Sequence, residues 1–293
     1  MATEDMCGFL GLGQMGAPMA LNLSRVRPVL AFDPAAPAVE GLEVAGSARE
    51  LAGARVLVLS LPNGKVVEAA LFGEGGLAPL LPEGALVIDT STAGHDETLE
   101  IAAKARAMGL RFVDAPVSGM QRRAEDGTLT AMCGGAAADV AEARPLLETM
   151  ASKVLHMGDV GAGQLTKLVN QLLFDINAAA LAEVLPMAVH LGLNPEQVGQ
   201  VVNSGTGRSY ASEFFIPNIL KGEFGQGYPL EAAYKDLVAG AALSAKGTIP
   251  MPVLAAATAT YQQALRAGHG AKDKGAMILP AEEALGVKFR AKD

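Results

Sequence analysis

Three polar residues at helical spacing invite chemistry: Lys167, Asn170 and Gln171, with Phe174 after them. They fall at i, i+3, i+4 and i+7, so a helix brings them to one face. An amine there can share a hydroxyl proton, and two amides can fix the amine and a substrate oxygen. To act as a base the amine must be neutral, so its pKa must fall from about 10.4 through desolvation or a neighbouring cation. Lys235 is the candidate for that cation. The bland alternative is a solvated helix face with one lysine. Leu165, Leu168, Val169, Leu172 and Ile176 fall at i, i+3, i+4, i+7 and i+11, and are expected to form the buried stripe on the opposite side.

The second chemical signal is Gly11-Leu12-Gly13-Gln14-Met15-Gly16, set between the apolar run Met6 to Leu10 and the helical pattern Ala17 to Ser24. In a G-x-G-x-x-G turn between strand and helix, the first glycine permits the tight turn. The second lets backbone approach a pyrophosphate, and the third lets the helix sit close to the strand. The helix N-terminus then offers free N–H groups and partial positive charge to phosphates. The next strand, Val29 to Phe32, ends at Asp33, whose carboxylate can accept hydrogen bonds from both ribose hydroxyls and repels a 2′-phosphate. Pro34-Ala35-Ala36 follows, with no arginine, so NAD is favoured over NADP. The alternative for Asp33 is an ordinary turn residue before Pro34.

These groups need a scaffold, and strand and helix signals alternate to supply it. Ser47-Ala48-Arg49-Glu50 reads as a capping box. Arg55 to Leu61 is a fully apolar strand of parallel-sheet type, Ala85 to Ile88 another, and His95 to Met108 a helix stopped by Gly109. Leu110 to Val113, Leu129 to Cys133, a helix Ala138 to Met150, and Val154 to Met157 complete a doubly wound α/β domain. Its ligands belong at the carboxyl ends of the strands, which carry Leu61-Pro62, Thr92 and Ser118-Gly119. Beyond Met157 the strand signals fade. Helical patterns run over 164–191, 195–203, 229–246, 251–267 and 273–285, with Pro186 expected to kink the first and Asn194-Pro195 opening the second. The expected fold is a Rossmann-type doubly wound α/β domain, residues 1–161, followed by an all-α domain, residues 162–293. The long first helix connects the two, which would lay Lys167 over the cleft.

Totals narrow the classes. The chain has 293 residues, half of them hydrophobic, enough for two cored domains. A net charge of −8 with no long basic cluster argues against a nucleic-acid partner. Cys7 and Cys133 lie far apart, each inside a predicted strand, and read as buried core in a reducing, cytoplasmic compartment. The acidic N-terminus, Met-Ala-Thr-Glu-Asp-Met, is unlike a leader. The long helix is interrupted by Asp175, Asn177, Glu183 and His190, so no apolar run is expected to reach membrane-spanning length. His95, His156, His190 and His269 share no ligand spacing, and no metal is expected; His95 reads as a helix-start residue.

Four separated segments together resemble one family: Gly8 to Ala20, Asp114-Ala115-Pro116-Val117-Ser118-Gly119, Gly161 to Gln171, and Lys235-Asp236-Leu237. The chain resembles the β-hydroxyacid dehydrogenases, 3-hydroxyisobutyrate dehydrogenase among them, over nearly its whole length. The resemblance implies an oxidoreductase that interconverts a small β-hydroxy acid and its oxo acid by hydride transfer to a nicotinamide dinucleotide. It makes Lys167 the general acid or base, with Asn170 and Gln171 beside it. Ser118-Gly119, with Met120, Tyr228, Lys235 and Asp236, falls to the substrate. Leu61, Pro62, Val66 and Thr92 fall to the cofactor along with the glycine turn, and Lys235 reaches toward both. It also implies a homodimer or homotetramer. Two positions depart from the family pattern. Met120 stands where a second glycine usually follows Ser-Gly, making the loop less permissive and more apolar. Gln171 stands where a second asparagine is usual, keeping the amide but reaching one methylene further.

Some residues keep two readings. Arg122 and Arg123 suit a second anionic group on the substrate, or are surface charges of a turn. Tyr228 walls the substrate pocket or packs within the helical domain. Phe214, Phe215 and Phe224 read as core or subunit interface. Two other functions compete with the leading one: an NADPH-preferring reductase of a compact aldehyde acid such as tartronate semialdehyde, or of imines, and a nucleotide-sensing protein without turnover. Asp33 speaks against the first and the intact Lys167, Ser118 and Asn170 set against the second.

Overall fold

The computed structural model describes residues 6–36 and 38–291. The acidic residues 1–5, read above as unlike a leader, lie outside the described residues. The first half forms β1 (Cys7–Leu10), α1 (Gly16–Ser24), β2 (Val29–Phe32), β3 (Glu43–Val44), β4 (Val56–Leu59), α2 (Gly64–Phe72), β5 (Leu86–Asp89) and α3 (His95–Ala107). It continues through β6 (Arg111–Asp114), β7 (Val117–Ser118), α4 (Met120–Glu125), β8 (Leu129–Gly134), α5 (Ala137–Leu147) and β9 (Ala151–Gly158). The second half is α6 (Ala162–His190), α7 (Pro195–Ser204), α8 (Tyr210–Lys221), α9 (Leu230–Gly247), α10 (Pro252–Arg266) and α11 (Ile278–Leu285). Two compact units divide after Lys167, so α6 begins in the first and continues in the second.

The strands form one sheet in the order β3-β2-β1-β4-β5-β6-β8-β7, with β9 on β8. From β3 to β6 every pairing is parallel; β6 and β7 meet β8 antiparallel, and β9 runs parallel to it. Alternation explains why these strands read as unbroken apolar runs. Cys7, Phe9, Val56, Val58, Leu86 and Ile88 enter one core with Met19, Ala20 and Leu23 of α1 and Val140, Ala143 and Leu147 of α5. Leu10, Leu57, Leu59, Val87 and Phe112 enter another with Val67 and Leu71 of α2 and Ile101 and Ala105 of α3. Both faces are covered, so neither can alternate with polar residues. The helical unit has its own core of Leu172, Ala178, Ala182, Leu185, Phe215, Leu237, Tyr261 and Phe289.

Several local expectations change. Ser47 does not cap its segment through a backbone N–H; its hydroxyl donates to Glu50 at 3.2 Å, and Ala48–Leu51 is one 3₁₀ turn. The helix expected over 273–285 is a 3₁₀ turn, Lys274–Met277, followed by α11. Helix α8 was not expected. Its N-terminus is a box of two serines, Ser209 and Ser212, and Pro217 lies inside it, so neither usual signal is present. Helix α6 continues through Pro186 to His190. It is also long and apolar enough to cross a membrane by length and composition, contrary to the expectation above. Much of that apolarity is spent on the helical core, through Leu172, Ala178, Ala179, Ala182, Leu185 and Ala188.

The buried stripe on α6 is corrected in part: Leu172 is buried, and Leu168 and Ile176 pack against the helical core as expected. Val169, placed in the stripe, is 59% exposed, while Asp175 is fully buried. On a 3.6-residue wheel the helix is turned from the expected setting by somewhat less than one residue step, roughly 80°. Gln171 and Phe174 are thereby partly buried.

Asp89, at the end of β5, is fully buried. Its Oδ1 accepts from Ser91 N–H at 2.9 Å, while Oδ2 has no hydrogen-bond partner among the described residues. Burial pushes its pKa up from 3.8 to about 6, against the lowering effect of the Ser91 bonds; the nearby Asp114 and Glu97 charges add to the rise. Because the folded state holds this proton more tightly than the unfolded chain, the stabilisation is full below about pH 3.8 and disappears as pH rises through about 6. A shift of that size corresponds to about 3 kcal/mol. We predict that Asp89→Asn leaves thermal stability near wild type at pH 4 and raises it at pH 7. Melting curves across that range check the prediction, and equal gains at both pH values contradict it.

Candidate active site and cofactor cradle

In the first unit, the turn after β1 fits a dinucleotide. Gly11 has φ +99°, and a Cβ there would lie 2.2 Å from the Ser60 carbonyl oxygen. A Cβ on Gly16 would lie 2.0 Å from the Gly11 carbonyl oxygen, so α1 starts against the turn itself. A Cβ on Gly13 would meet nothing within 4 Å. The outer two glycines are thus required by the fold, and the middle one borders open space that a pyrophosphate would occupy. Leu12 and Gly16 are buried, Met15 half-buried, and Gly13 and Gln14 exposed.

Asp33 holds this turn. Its Oδ2 accepts from Leu12 N–H at 2.7 Å and its Oδ1 from Ala35 N–H at 2.8 Å. It is therefore a turn residue as well as the acid at the end of β2. Each carboxylate oxygen retains a further lone pair for a ribose hydroxyl.

Leu61 and Thr92 follow adjacent strands, and Ser91 ties their loops together, its hydroxyl accepting from Leu61 N–H at 2.8 Å. Asn63 caps α2 by accepting from Val66 N–H at 3.1 Å; Pro62 and Val66 are exposed. The backbone either side of Thr92 is clamped by Gln164, which is buried. Gln164 Nε2 donates to Ser91 O at 2.8 Å, and its Oε1 accepts from Ala93 N–H at 3.2 Å. His95 opens α3, and its ring lies where a Cβ on Gly161 would come within 2.9 Å.

The start of α6 is held by Asp114. Its Oδ1 accepts from Gly161 N–H at 2.7 Å and its Oδ2 from Gln164 N–H at 2.9 Å. Burial raises this carboxyl's pKa, and the backbone bonds oppose the rise. One turn into the helix, the half-buried Lys167 donates from Nζ to Val117 O at 2.9 Å. Val117 immediately precedes Ser118 and Gly119. Ser118 ends the short β7, opposite Thr130 of β8, and Gly119 follows at φ 143°. Met120 has φ +61°, the left-handed region that glycine favours, so a side chain at this position costs local backbone strain.

The arginine side chains extend elsewhere from this cluster, although the Arg123 stem packs beside Gly119. Arg122 has a 92% exposed side chain with Nε 4.0 Å from Asp126. Arg123 lays its stem where a Gly119 Cβ would sit, and its guanidinium donates to Thr128 O.

In the helical unit, Asn170 Nδ2 donates to Gln171 Oε1 at 3.3 Å, and Gln171 Nε2 donates to Asp236 Oδ2 at 3.2 Å. Asp236 is buried and Lys235 exposed, neighbours on α9. Tyr228 is 53% exposed, in a segment fixed by Asp273, which accepts from Gln226 N–H at 2.9 Å and Gly227 N–H at 3.2 Å. Phe215 is buried, and Phe214 and Phe224 pack against the same core. Tyr210, given no role above, meets Phe174 edge-on at 5.6 Å between centroids.

A glycine-turn cradle, an acid at the end of the second strand, and a lysine beside a Ser-Gly segment define a nicotinamide-dinucleotide oxidoreductase built on a Rossmann unit. Residues 6–158 match the family model for the NAD binding domain of 6-phosphogluconate dehydrogenase. Residues 161–281 match that for the NAD-binding of NADP-dependent 3-hydroxyisobutyrate dehydrogenase. The chain is 38% identical to 2-(hydroxymethyl)glutarate dehydrogenase of Eubacterium barkeri, over 96% of each chain. It is 33% identical to 3-sulfolactaldehyde reductase of Escherichia coli, over 97% of this chain and 98% of the relative. A solved 3-hydroxyisobutyrate dehydrogenase of Mycobacterium tuberculosis with L-serine superposes with a TM-score of 0.85 at 32% identity, covering 95% of this chain and 99% of that one. The chain belongs to the β-hydroxyacid dehydrogenase family. It is a hydroxyacid dehydrogenase using a nicotinamide cofactor.

The glycine roles separate experimentally. Gly13→Ala should fold with near-wild-type thermal stability and bind its nicotinamide dinucleotide, NAD or NADP, at least ~10-fold more weakly, because its methyl enters only the open space. Gly16→Ala should destabilise by about 3 kcal/mol or more, through collision with backbone. Calorimetry of both, with NAD and NADP titration of the first, checks this; unaltered dinucleotide affinity in Gly13→Ala contradicts the cradle.

Proposed function

We propose that the protein is an NAD-dependent dehydrogenase of a compact, 3-hydroxyisobutyrate-like β-hydroxy acid, with Lys167 as its general acid and base. The observation that carries this is the bond from Lys167 Nζ to Val117 O, which holds the amine within one residue of Ser118-Gly119. A substrate whose carboxylate rests on Ser118 then has its β-hydroxyl a few bonds away, within an amine's reach. Lys167 takes the hydroxyl proton at Nζ during oxidation and returns it during reduction. Asn170 and Gln171, on the same helix face, orient the amine and the substrate oxygen. The nicotinamide, when bound, supplies the hydride acceptor. Gly13 and the start of α1 would hold its pyrophosphate, and Asp33 its ribose.

Two experiments test the reading. Purified protein is mixed with NAD and a panel of 3-hydroxy acids, and reduced nicotinamide is followed by absorbance. Lys167→Ala should keep wild-type NAD affinity and lose at least ~100-fold in kcat; retention of most activity removes Lys167 from the mechanism. For the cofactor, Asp33 at the end of β2 with no arginine after it supports at least a ~10-fold preference in kcat/KM for NAD over NADP. A preference for NADP ends that part of the proposal.

A further inference from the structure

A buried charge pair lies on α6 outside the groups assigned above. Asp175 is completely buried and Lys274, from the 3₁₀ turn before α11, is 3% exposed. Lys274 Nζ donates to Asp175 Oδ1, which also accepts from the buried Tyr261 hydroxyl at 3.0 Å. The same ammonium stands 4.3 Å from the centroid of the Phe174 ring. The second carboxylate oxygen of Asp175 has no hydrogen-bond partner among the described residues. Apolar residues are cheaper to bury at such a position, and an ion pair there is weak support for stability.

Its position suggests what it is for. Lys167, Gln171 and Asp175 fall at i, i+4 and i+8, on one face of one helix. Each is held by a polar partner: Val117 O, Asp236 Oδ2, and Lys274 with Tyr261. Over residues 165–176 the apolar residues of α6 are compatible with two rotational settings, while Ala178, Ala179, Ala182 and Leu185 farther along are buried in the one adopted. One buries Leu165, Leu168, Val169, Leu172 and Ile176, as the wheel of hydrophobic residues suggests. The other, which is the one adopted, exposes Val169 and Leu173, both 59%, and turns Asp175 inward. The second setting requires a partner for the Asp175 charge, and Lys274 provides it. The difference matters because a rotation of only 20° moves a side-chain tip about 6 Å from the axis by about 2 Å, and a 1 Å misplacement can cost about 100-fold in rate.

We infer that the Asp175–Lys274 pair is a rotational lock on α6, and that both are positioning residues for Asn170 and Gln171. The inference rests on the reaction proposed above. It assigns the pair to presenting the amides, with Tyr261 bracing the carboxylate and Phe174 held under the ammonium.

The informative variant is the double substitution Asp175→Leu with Lys274→Met, since removing one partner alone strands the other charge. Folding is checked by circular dichroism and thermal melting, NAD affinity by titration, and kcat and KM with the acid that the wild type turns over best. The lock predicts a folded double variant, at least as stable as wild type, with NAD affinity within twofold and kcat down at least ~10-fold. A folded double variant with wild-type kcat and KM overturns it, because a merely structural pair gives that result. If the double variant does not fold, Asp175→Asn decides: a threefold or greater loss of kcat at unchanged NAD affinity supports the lock, and wild-type kcat overturns it. Absence of wild-type turnover with every acid withdraws the proposed function by itself. The lock is then judged by the crystal structure of whichever variant folds. Rotation of α6 by about 20° or more supports it, and an unmoved helix with Gln171 still on Asp236 overturns it.

Discussion

The carboxylate of Asp114, gathering the N–H groups that open α6, is the interaction on which the first unit's chemistry depends. Gly161 and Gln164 donate to its two oxygens at 2.7 and 2.9 Å. A buried anion at a helix N-terminus gains from charge-assisted hydrogen bonds and from the helix dipole together. The approach is close enough that Gly134 and Gly163 cannot carry side chains: a Cβ on either would come 2.5 or 2.7 Å from an Asp114 oxygen. From this anchored start, Gln164 reaches the backbone on both sides of Thr92, and Lys167 reaches Val117 one turn later. One carboxylate at the end of β6 therefore fixes the helix from which both the loop around Thr92 and the amine are held.

The same device recurs wherever a loop must be placed. Asp33 gathers Leu12 and Ala35. Asp89 takes Ser91. Asp273 takes Gln226, Gly227 and Gly275. Aspartate suits the task because its short side chain sets two acceptors a fixed distance from its own backbone, and loops have N–H groups to give. Where the donor residue is buried, as at Leu12, Ser91 and Gly275, the bond also satisfies a group that would otherwise lack a partner.

What was legible in the sequence, and what was not, follows from the range of the interaction involved. The strands, the glycine turn and Asp33 announce themselves through neighbours in sequence: an apolar run, then Gly11 or an acid, then a helical pattern. Gly11, Gly13 and Gly16 carry their different constraints in their spacing alone. Lys167 and Ser118 could be paired because each sits in a distinctive run. Asp114 shows no role in the sequence, since its partners are 47 and 50 residues away. Gln164 was equally opaque, being one more polar residue at a helix start. Arg122 and Arg123 kept two readings because their structural partners, Asp126 and the Thr128 carbonyl, carry no signature in the sequence. Helix α8 lacked the usual signals because Ser212 does the work of the expected glutamate.

The rotation of α6 was the least legible feature, and the reason is physical. A hydrophobic wheel scores a helix by its own residues, but the setting here depends on Lys274, 99 residues on. Asp175 also explains why a lysine is involved at all. The buried aspartates of the first unit face loop or helix-start backbone, where N–H groups are free to donate. Inside a helix every N–H already serves the carbonyl four residues back, so a carboxylate buried at mid-helix finds no backbone donor. It must recruit side chains from other elements, here an ammonium and a phenol. Those donors come from fixed points in the helical core, so they specify which way the helix faces as well as satisfying the charge. A mid-helix acid bound in this way carries orientational information that a leucine in its place would not.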